Sequence, residues 1–238
     1  MEERIAIIGA MDEEIEELSE SLTLKKRVST PFPDLPIFTG SLGGKEVVLG
    51  RCGIGKVNAA LATQYIIDRF HPPLVINSGI AGGVSSKVRI GDIVLGARSM
   101  QHDFDVREFG HPRGTIPRLS SSIFQGDPSL LEAATVAARQ TLDPDKVHRG
   151  LIISGDQFIC SPQQKKDILD FFPEAMCVEM EGAAIAHVAT ANQVPHLILR
   201  AISDLADSTA PDDFKRFVAK IVPVLDLVIQ RLLASLAN

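Results

Sequence analysis

The residue order predicts an α/β protein: a single domain over residues 1–238, built as a three-layer sandwich in which a central mixed β-sheet is flanked by helices. Three observations predict it. Short β-branched apolar runs alternate along the chain with stretches whose apolar residues recur at helical spacing, the pattern of a sheet covered by helices. Hydrophobic residues make up 45% of the 238, enough for a large core. The 18 glycines and 14 prolines are dispersed, so no linker divides the chain into two cores.

The elements follow in order. Residues 4–9 form an apolar run ended by Gly9-Ala10, and Ile15 and Leu18 in the acidic stretch after it lie at helical spacing, so a strand leads into a helix. Residues 35–41 and 46–51 flank Gly43-Gly44, a dipeptide suited to the positive φ angles of a hairpin turn. Residues 56–70 place Val57, Leu61, Tyr65 and Ile66 on one side of a helix that Pro72-Pro73 stops, and residues 74–77 follow as a buried strand. Residues 93–97, 150–154 and 196–202 read as strands, and residues 130–140, 162–171 and 180–191 as helices. Residues 213–236 form an amphipathic helix that Pro223 bends.

Composition removes several function classes. The net charge is −6 and the 24 Lys and Arg are scattered, so no basic stripe exists to follow a phosphate backbone, and nucleic acid is not an expected partner. No apolar run is long enough to cross a bilayer, and the start of the chain lacks the order of a signal peptide. Three widely spaced cysteines, Cys52, Cys160 and Cys177, suit reduced thiols in a cytoplasm. The six His show no ligand spacing, so neither a metal nor a cofactor is expected.

In open α/β sheets ligands sit beyond the carboxyl ends of strands, and four clusters stand there. Gly9-Ala10-Met11-Asp12-Glu13-Glu14 puts three acids at a helix start, where the macrodipole alone would favour them. Asn77-Ser78-Gly79-Ile80-Ala81-Gly82-Gly83 reads as a glycine-rich turn after a strand, able to bring backbone amides close to a ligand. It lacks the Lys-Ser/Thr of a P-loop and the glycine spacing of a dinucleotide site. Val178-Glu179-Met180-Glu181-Gly182 places two acids where a buried strand passes into a helix, a costly position unless they are used or one of them caps the helix. Arg200-Ala201-Ile202-Ser203-Asp204 closes an apolar strand with a cation, a hydroxyl and a carboxylate. Together they suit acid–base chemistry on an uncharged polar ligand.

These clusters, with Gly-Ile-Gly-Lys-Val-Asn-Ala-Ala at 53–60 and Ser-Gly-Asp-Gln-Phe-Ile at 154–159, resemble in order and over nearly the whole chain the bacterial 5′-methylthioadenosine/S-adenosylhomocysteine nucleosidases. These belong to the nucleoside phosphorylase superfamily. The resemblance implies a nucleoside phosphorylase-like fold and hydrolysis of the N-glycosidic bond of a 5′-substituted adenine nucleoside, without a cofactor. It implies that Glu14 deprotonates the attacking water, that Asp204, supported by Ser203, protonates N7 of adenine, and that Glu181 and Met180 hold the ribose. Phe158 would stack on adenine and the backbone of Ile159 would read its edge. Arg200 would orient carboxylates and water, and Val178, Glu179, Ala81 and Gly82 would lie at the substrate. Met11, Ile54 and Phe214 would form an apolar pocket for the 5′-substituent, which Val106, Phe109 and Pro117 of a second subunit would complete in a homodimer.

One departure concerns Ile80, where many members of the family have Ser. It points to a preference within the family that extends to 6-amino-6-deoxyfutalosine or 5′-deoxyadenosine, and leaves methionine salvage and menaquinone synthesis both open as pathways. Two further readings stand beside the nucleosidase. One is a purine nucleoside phosphorylase, which needs cations for phosphate where this chain offers acids; the other is an adenine-nucleoside-binding module without catalysis.

Overall fold

The computed structural model describes residues 3–236. Among the described residues, ten strands and six α-helices follow in the order β1 Ile5–Gly9, α1 Asp12–Ser21, β2 Thr23–Val28, β3 Ile37–Leu42, β4 Lys45–Arg51, α2 Lys56–Phe70, β5 Val75–Gly83, β6 Ile93–Gln101, β7 Ile123–Gln125, α3 Pro128–Arg139, β8 Val147–Ser154, α4 Pro162–Phe171, β9 Ala175–Glu179, α5 Gly182–Ala191, β10 His196–Asp204 and α6 Ala210–Ser235. Local chemistry sets several boundaries. Asp127 accepts from the amides of Ser129 and Leu130 and is followed by Pro128, which starts α3, and Ser161 with Pro162 starts α4 in the same way. The β3–β4 hairpin turns through Gly43 and Gly44 at φ 57° and 79°, angles a primed turn needs.

All strands belong to one mixed sheet ordered β10-β6-β8-β9-β5-β1-β4-β3-β2, with β7 on β6. β10 also pairs with β5, so β10, β6, β8, β9 and β5 close into a ring, from which β1, β4, β3 and β2 extend as an open arm. The sequence pattern foresaw the mixed sheet, but not this closure. Helices cover both faces: α1, α3 and α6 pack their apolar residues on one side, while α2 and α5 pack theirs on the other.

Three local readings change. Residues 77–83 continue β5 to its end instead of forming a turn, because β10 bonds them on one side and β9 bonds Gly82 and Gly83 on the other. β2 and β7 were not foreseen: β2 is the exposed edge Thr-Leu-Lys-Lys-Arg-Val, whose charges suit an edge strand and erase apolar alternation. On α2 the buried face is Ala59, Ala62, Thr63, Ile66 and Ile67, which leaves Val57 and Leu61 exposed.

Candidate active site

The carboxyl ends of β1, β5, β9 and β10 converge with the start of α6 on a cavity of about 470 Å³. Glu14 enters it from the first turn of α1. One of its oxygens accepts from the amides of Ala10 (2.7 Å) and Met11 (3.1 Å), and the other from the amide of Ile80 (3.0 Å), across from β1 to β5. The third bond needs Gly79, since a Cβ there would lie 2.5 Å from a Glu14 oxygen. Burial raises the Glu14 pKa above the usual carboxylate value, and the Arg200 charge and the three amides only partly offset it.

β9 and the start of α5 supply the pair Glu179 and Glu181, which behave differently. Glu179 is spent on the protein: one oxygen takes the Ser154 hydroxyl, and the other takes the amides of Glu181 (3.0 Å) and Gly182 (2.7 Å) and the Arg200 guanidinium (2.5 Å). Burial opposes its charge, but Arg200 and these hydrogen bonds outweigh burial and hold its pKa below the usual value. Of the two acids, Glu179 is therefore the one that caps α5. Glu181 is bonded through one oxygen to the Gly55 amide at 2.7 Å, and burial, then the charge of Glu179, pushes its pKa up to about 8. Two neighbouring carboxyls are thus driven apart, one kept ionised and one kept able to hold a proton near neutrality.

Arg200 is 2% exposed and does not line the cavity. Its guanidinium reaches Glu179, the Asn77 side chain (2.5 Å) and the Leu199 carbonyl (2.9 Å), so it acts on the site through Glu179 and through its charge on Glu14. At the end of β10 the pairing with β5 skips Ser203, a bulge. On a regular strand adjacent side chains face opposite ways; here the bulge lets both Ser203 and Asp204 line the cavity. Asp204 accepts from the Ser203 hydroxyl (2.8 Å) and the Ala206 amide (2.9 Å). Burial nevertheless raises its pKa, with Asp213 and Asp207 adding to the rise.

Apart from Lys215, the remaining wall is apolar or backbone. Met11, Ile54, Ile80, Ala81, Gly82, Phe158, Val178, Met180 and Phe214 all line it, and the rings of Phe158 and Phe214 meet edge to face at 6.3 Å. Ile159 is buried just behind Phe158, outside the lining. Val106, Phe109 and Pro117 are absent from the cavity of their own chain. Three lining residues were not foreseen: Ala10, Pro211 and Lys215. Ala10 stood inside a motif already singled out, and Pro211 and Lys215 flank Phe214, so proximity to a chosen residue was the available signal.

The residue pattern of the phosphorylase superfamily matches residues 4–234. A 5′-methylthioadenosine/S-adenosylhomocysteine nucleosidase of Listeria monocytogenes is 43% identical over 216 residues, 90% of this chain and 91% of that one. The chain belongs to the 5′-methylthioadenosine/S-adenosylhomocysteine nucleosidase family. Two solved nucleosidases of the family superpose closely. That of Neisseria meningitidis, in complex with methylthio-immucillin-A, gives a TM-score of 0.93 at 41% identity, covering 98% of this chain and 100% of that one. That of Colwellia psychrerythraea, in complex with adenine, gives 0.93 at 32% identity, covering 100% and 99%. In this member of the nucleosidase family, then, the cavity gathers four buried carboxyl groups, Glu14, Glu179, Glu181 and Asp204, with different proton affinities inside a mostly apolar wall.

Proposed function

We propose that this chain hydrolyses the N-glycosidic bond of 5′-substituted adenine nucleosides, 5′-methylthioadenosine and S-adenosylhomocysteine foremost, and releases adenine. The observation that carries the reading is the convergence of Glu14, Glu181 and Asp204 on one cavity, each from a different strand end and each with a raised pKa. Breaking the bond between C1′ and N9 builds positive charge on the ribose and sends the bonding electron pair into the base. Asp204 gives its proton to N7 as that charge arrives, which requires an acid still protonated near neutrality. Water adds to C1′ and loses a proton to Glu14, whose three backbone donors hold the carboxylate in one orientation.

Glu181 holds the ribose hydroxyls: its Gly55-bonded oxygen is fixed and the other can accept or donate. Met180 lies against the sugar. Phe158 stacks on the base, the Ile159 backbone reads its edge, and Ala81 and Gly82 let the base approach β5 closely. Arg200 keeps Glu179 ionised and in place. Met11, Ile54 and Phe214 take the 5′-substituent, and Ile80 adds an apolar surface beside Glu14 that favours substrates making no demand for a hydroxyl there. Phosphate is disfavoured as a nucleophile because the anionic Glu14 occupies the place it would need.

The reading includes a homodimer. Ile54 just before α2, Val57 and Leu61 on it, and Phe109 and Leu119 in the 101–122 segment are large exposed apolar side chains, Phe109 at 81%. Their exposure supports an interface with a second copy of the chain. Val106, Phe109 and Pro117 would close the 5′ end of the neighbouring site. The deciding experiment is adenine release from 5′-methylthioadenosine, S-adenosylhomocysteine, 6-amino-6-deoxyfutalosine, 5′-deoxyadenosine and inosine in phosphate-free buffer and again with phosphate. Release without phosphate is expected. Release only with phosphate would make the chain a phosphorylase, and tight adenine binding without cleavage would make it a binding module.

A further inference from the structure

Behind the cavity wall, three side chains close a hydrogen-bonded circuit around the start of α2. The helix is preceded by Gly55 at φ 96°, a residue with no side chain to cap it, and a Cβ there would lie 3.1 Å from an Asp156 oxygen. Helix N-termini leave amides without partners inside the helix. Here two other segments supply them: Gly55 N–H donates to Glu181 at 2.7 Å, and Lys56 N–H donates to Asp156 Oδ1 at 2.8 Å. Asp103, just past the end of β6, completes the circuit. Its Oδ1 takes Lys56 Nζ at 2.6 Å and its Oδ2 takes the Asp156 amide at 3.0 Å, while Lys56 Nζ also reaches Gln101 at 3.2 Å. The Lys56 and Asp103 side chains are only 17% and 20% exposed, so the pair is shielded from water.

Lys56, Asp103 and Asp156 do not line the cavity. What they hold does: Glu181 hangs from the Gly55 amide, and Phe158 follows Asp156 by two residues. We propose that the Lys56–Asp103–Asp156 circuit is a positioning device for the N-glycosidic reaction, setting the ribose carboxyl of Glu181 and the base-stacking segment at 156–159 at a fixed separation by clamping both to the start of α2. The inference rests on the nucleosidase reading and deepens it. A sugar and a base leaving each other need both halves held at once, and displacements of about 1 Å in such an arrangement cost about 10²-fold in rate.

The test uses the full chain with Lys56→Met, Asp103→Asn, Lys56→Arg and the double variant Lys56→Met/Asp103→Asn. Three quantities are read: kcat and KM for 5′-methylthioadenosine, the affinity for adenine by calorimetry, and Tm. The circuit predicts kcat/KM lower by about 10²-fold in Lys56→Met and Asp103→Asn. Adenine binding weakens at least several-fold and Tm stays close to that of the unaltered chain. Lys56→Arg, which keeps a cation for Asp103, recovers most of the loss, and the double variant is no worse than the poorer single one. Kinetics and adenine affinity near the unaltered values in either single variant would overturn the inference, as would a loss that follows Tm downward with adenine affinity unchanged. Should Lys56→Met fail to fold, Asp103→Asn decides. An unaltered chain that binds adenine yet cleaves nothing would sink the activity instead, and the adenine affinities would still judge the circuit.

Discussion

Replacing Glu14 by Gln changes one atom type at the most constrained carboxylate of the site. Glu14 presents only acceptors to three donors, with Ala10 and Met11 on one oxygen and Ile80 on the other. Glutamine keeps one oxygen, which can serve the Ala10 and Met11 amides, but it turns an NH2 toward the Ile80 amide. Two donors then face each other in a buried place, and the Ile80 N–H loses its partner at a cost of about 1–3 kcal/mol. Against this, removing a raised-pKa carboxylate from 4% exposed surroundings returns part of its desolvation cost. The net expectation is a modest loss of stability, about 1–2 kcal/mol, from the balance of those two effects. Turnover should suffer far more: the group proposed to take the proton of water is gone, which is worth about 10²–10⁴-fold. The assay is adenine release from 5′-methylthioadenosine with urea denaturation run on the same preparation. A stability loss accompanied by near-unaltered turnover would show Glu14 to be a structural tie between β1 and β5, and would refute its role as base.

Three more outcomes are expected. Asp204→Asn keeps the bond to the Ala206 amide and hence the fold, lowers turnover by about 10²–10⁴-fold, and removes the alkaline limb of the pH–rate profile. That limb arises as Asp204 loses its proton with rising pH, so its persistence at the same pH in the variant would exclude Asp204 as the acid. Arg200→Met leaves Glu179 buried without its cation and should destabilise the chain by about 3–5 kcal/mol in urea titrations; a loss under about 1 kcal/mol would mean the pair is dispensable. Asp226, on α6, is 2% exposed with neither oxygen bonded, and burial, with Glu17 adding to it, pushes its pKa from 3.8 up to about 7. The unfolded chain releases this proton near pH 4 and the folded chain only near 7, so Asp226 progressively destabilises the fold as pH rises through that window. Asp226→Asn should therefore stabilise by roughly 1–4 kcal/mol at pH 8 and hardly at pH 4, and an equal Tm change at both pH values would contradict the argument.

Much of this fold is legible in the amino-acid sequence alone. The bounds of α2 follow from its apolar spacing and the proline pair after it, and the hairpin follows from Gly43-Gly44, because local chemistry decides both. What failed depended on contacts distant in sequence. Asn77 to Gly83 looks like a turn by composition, yet it is extended because two strands from far along the chain bond it; glycine stands at 79 and 82 because a Cβ there would meet Glu14 and Asp204. Val57 and Leu61 look like a core stripe, but the buried face of α2 is Ala59, Ala62, Thr63, Ile66 and Ile67, a different side of the helix. The acids of 179 and 181 were singled out together, and only the partners brought by Ser154 and Arg200 separate their tasks. Lys215 carries no signature beyond its place next to Phe214; it joins the cavity because the first turns of α6 pass there.

The closed ring of strands also orders events in time. β10 bonds both β5 and β6, and it comes from residues 196–204, about the last fifth of the chain to leave a ribosome. Until it arrives, the inner flank of β5 is an open edge and Asp204 is missing, while Glu14 and Glu181 already exist. Pairings between segments so far apart form slowly, since loop closure must precede any gain. A nascent or truncated chain lacking β10 lacks α6 as well, so it would be a half-built vessel, the face that α6 covers left open and Asp204 absent. Prematurely terminated products should be inert and prone to association through that unsatisfied edge, so function in this fold begins only with the last strand.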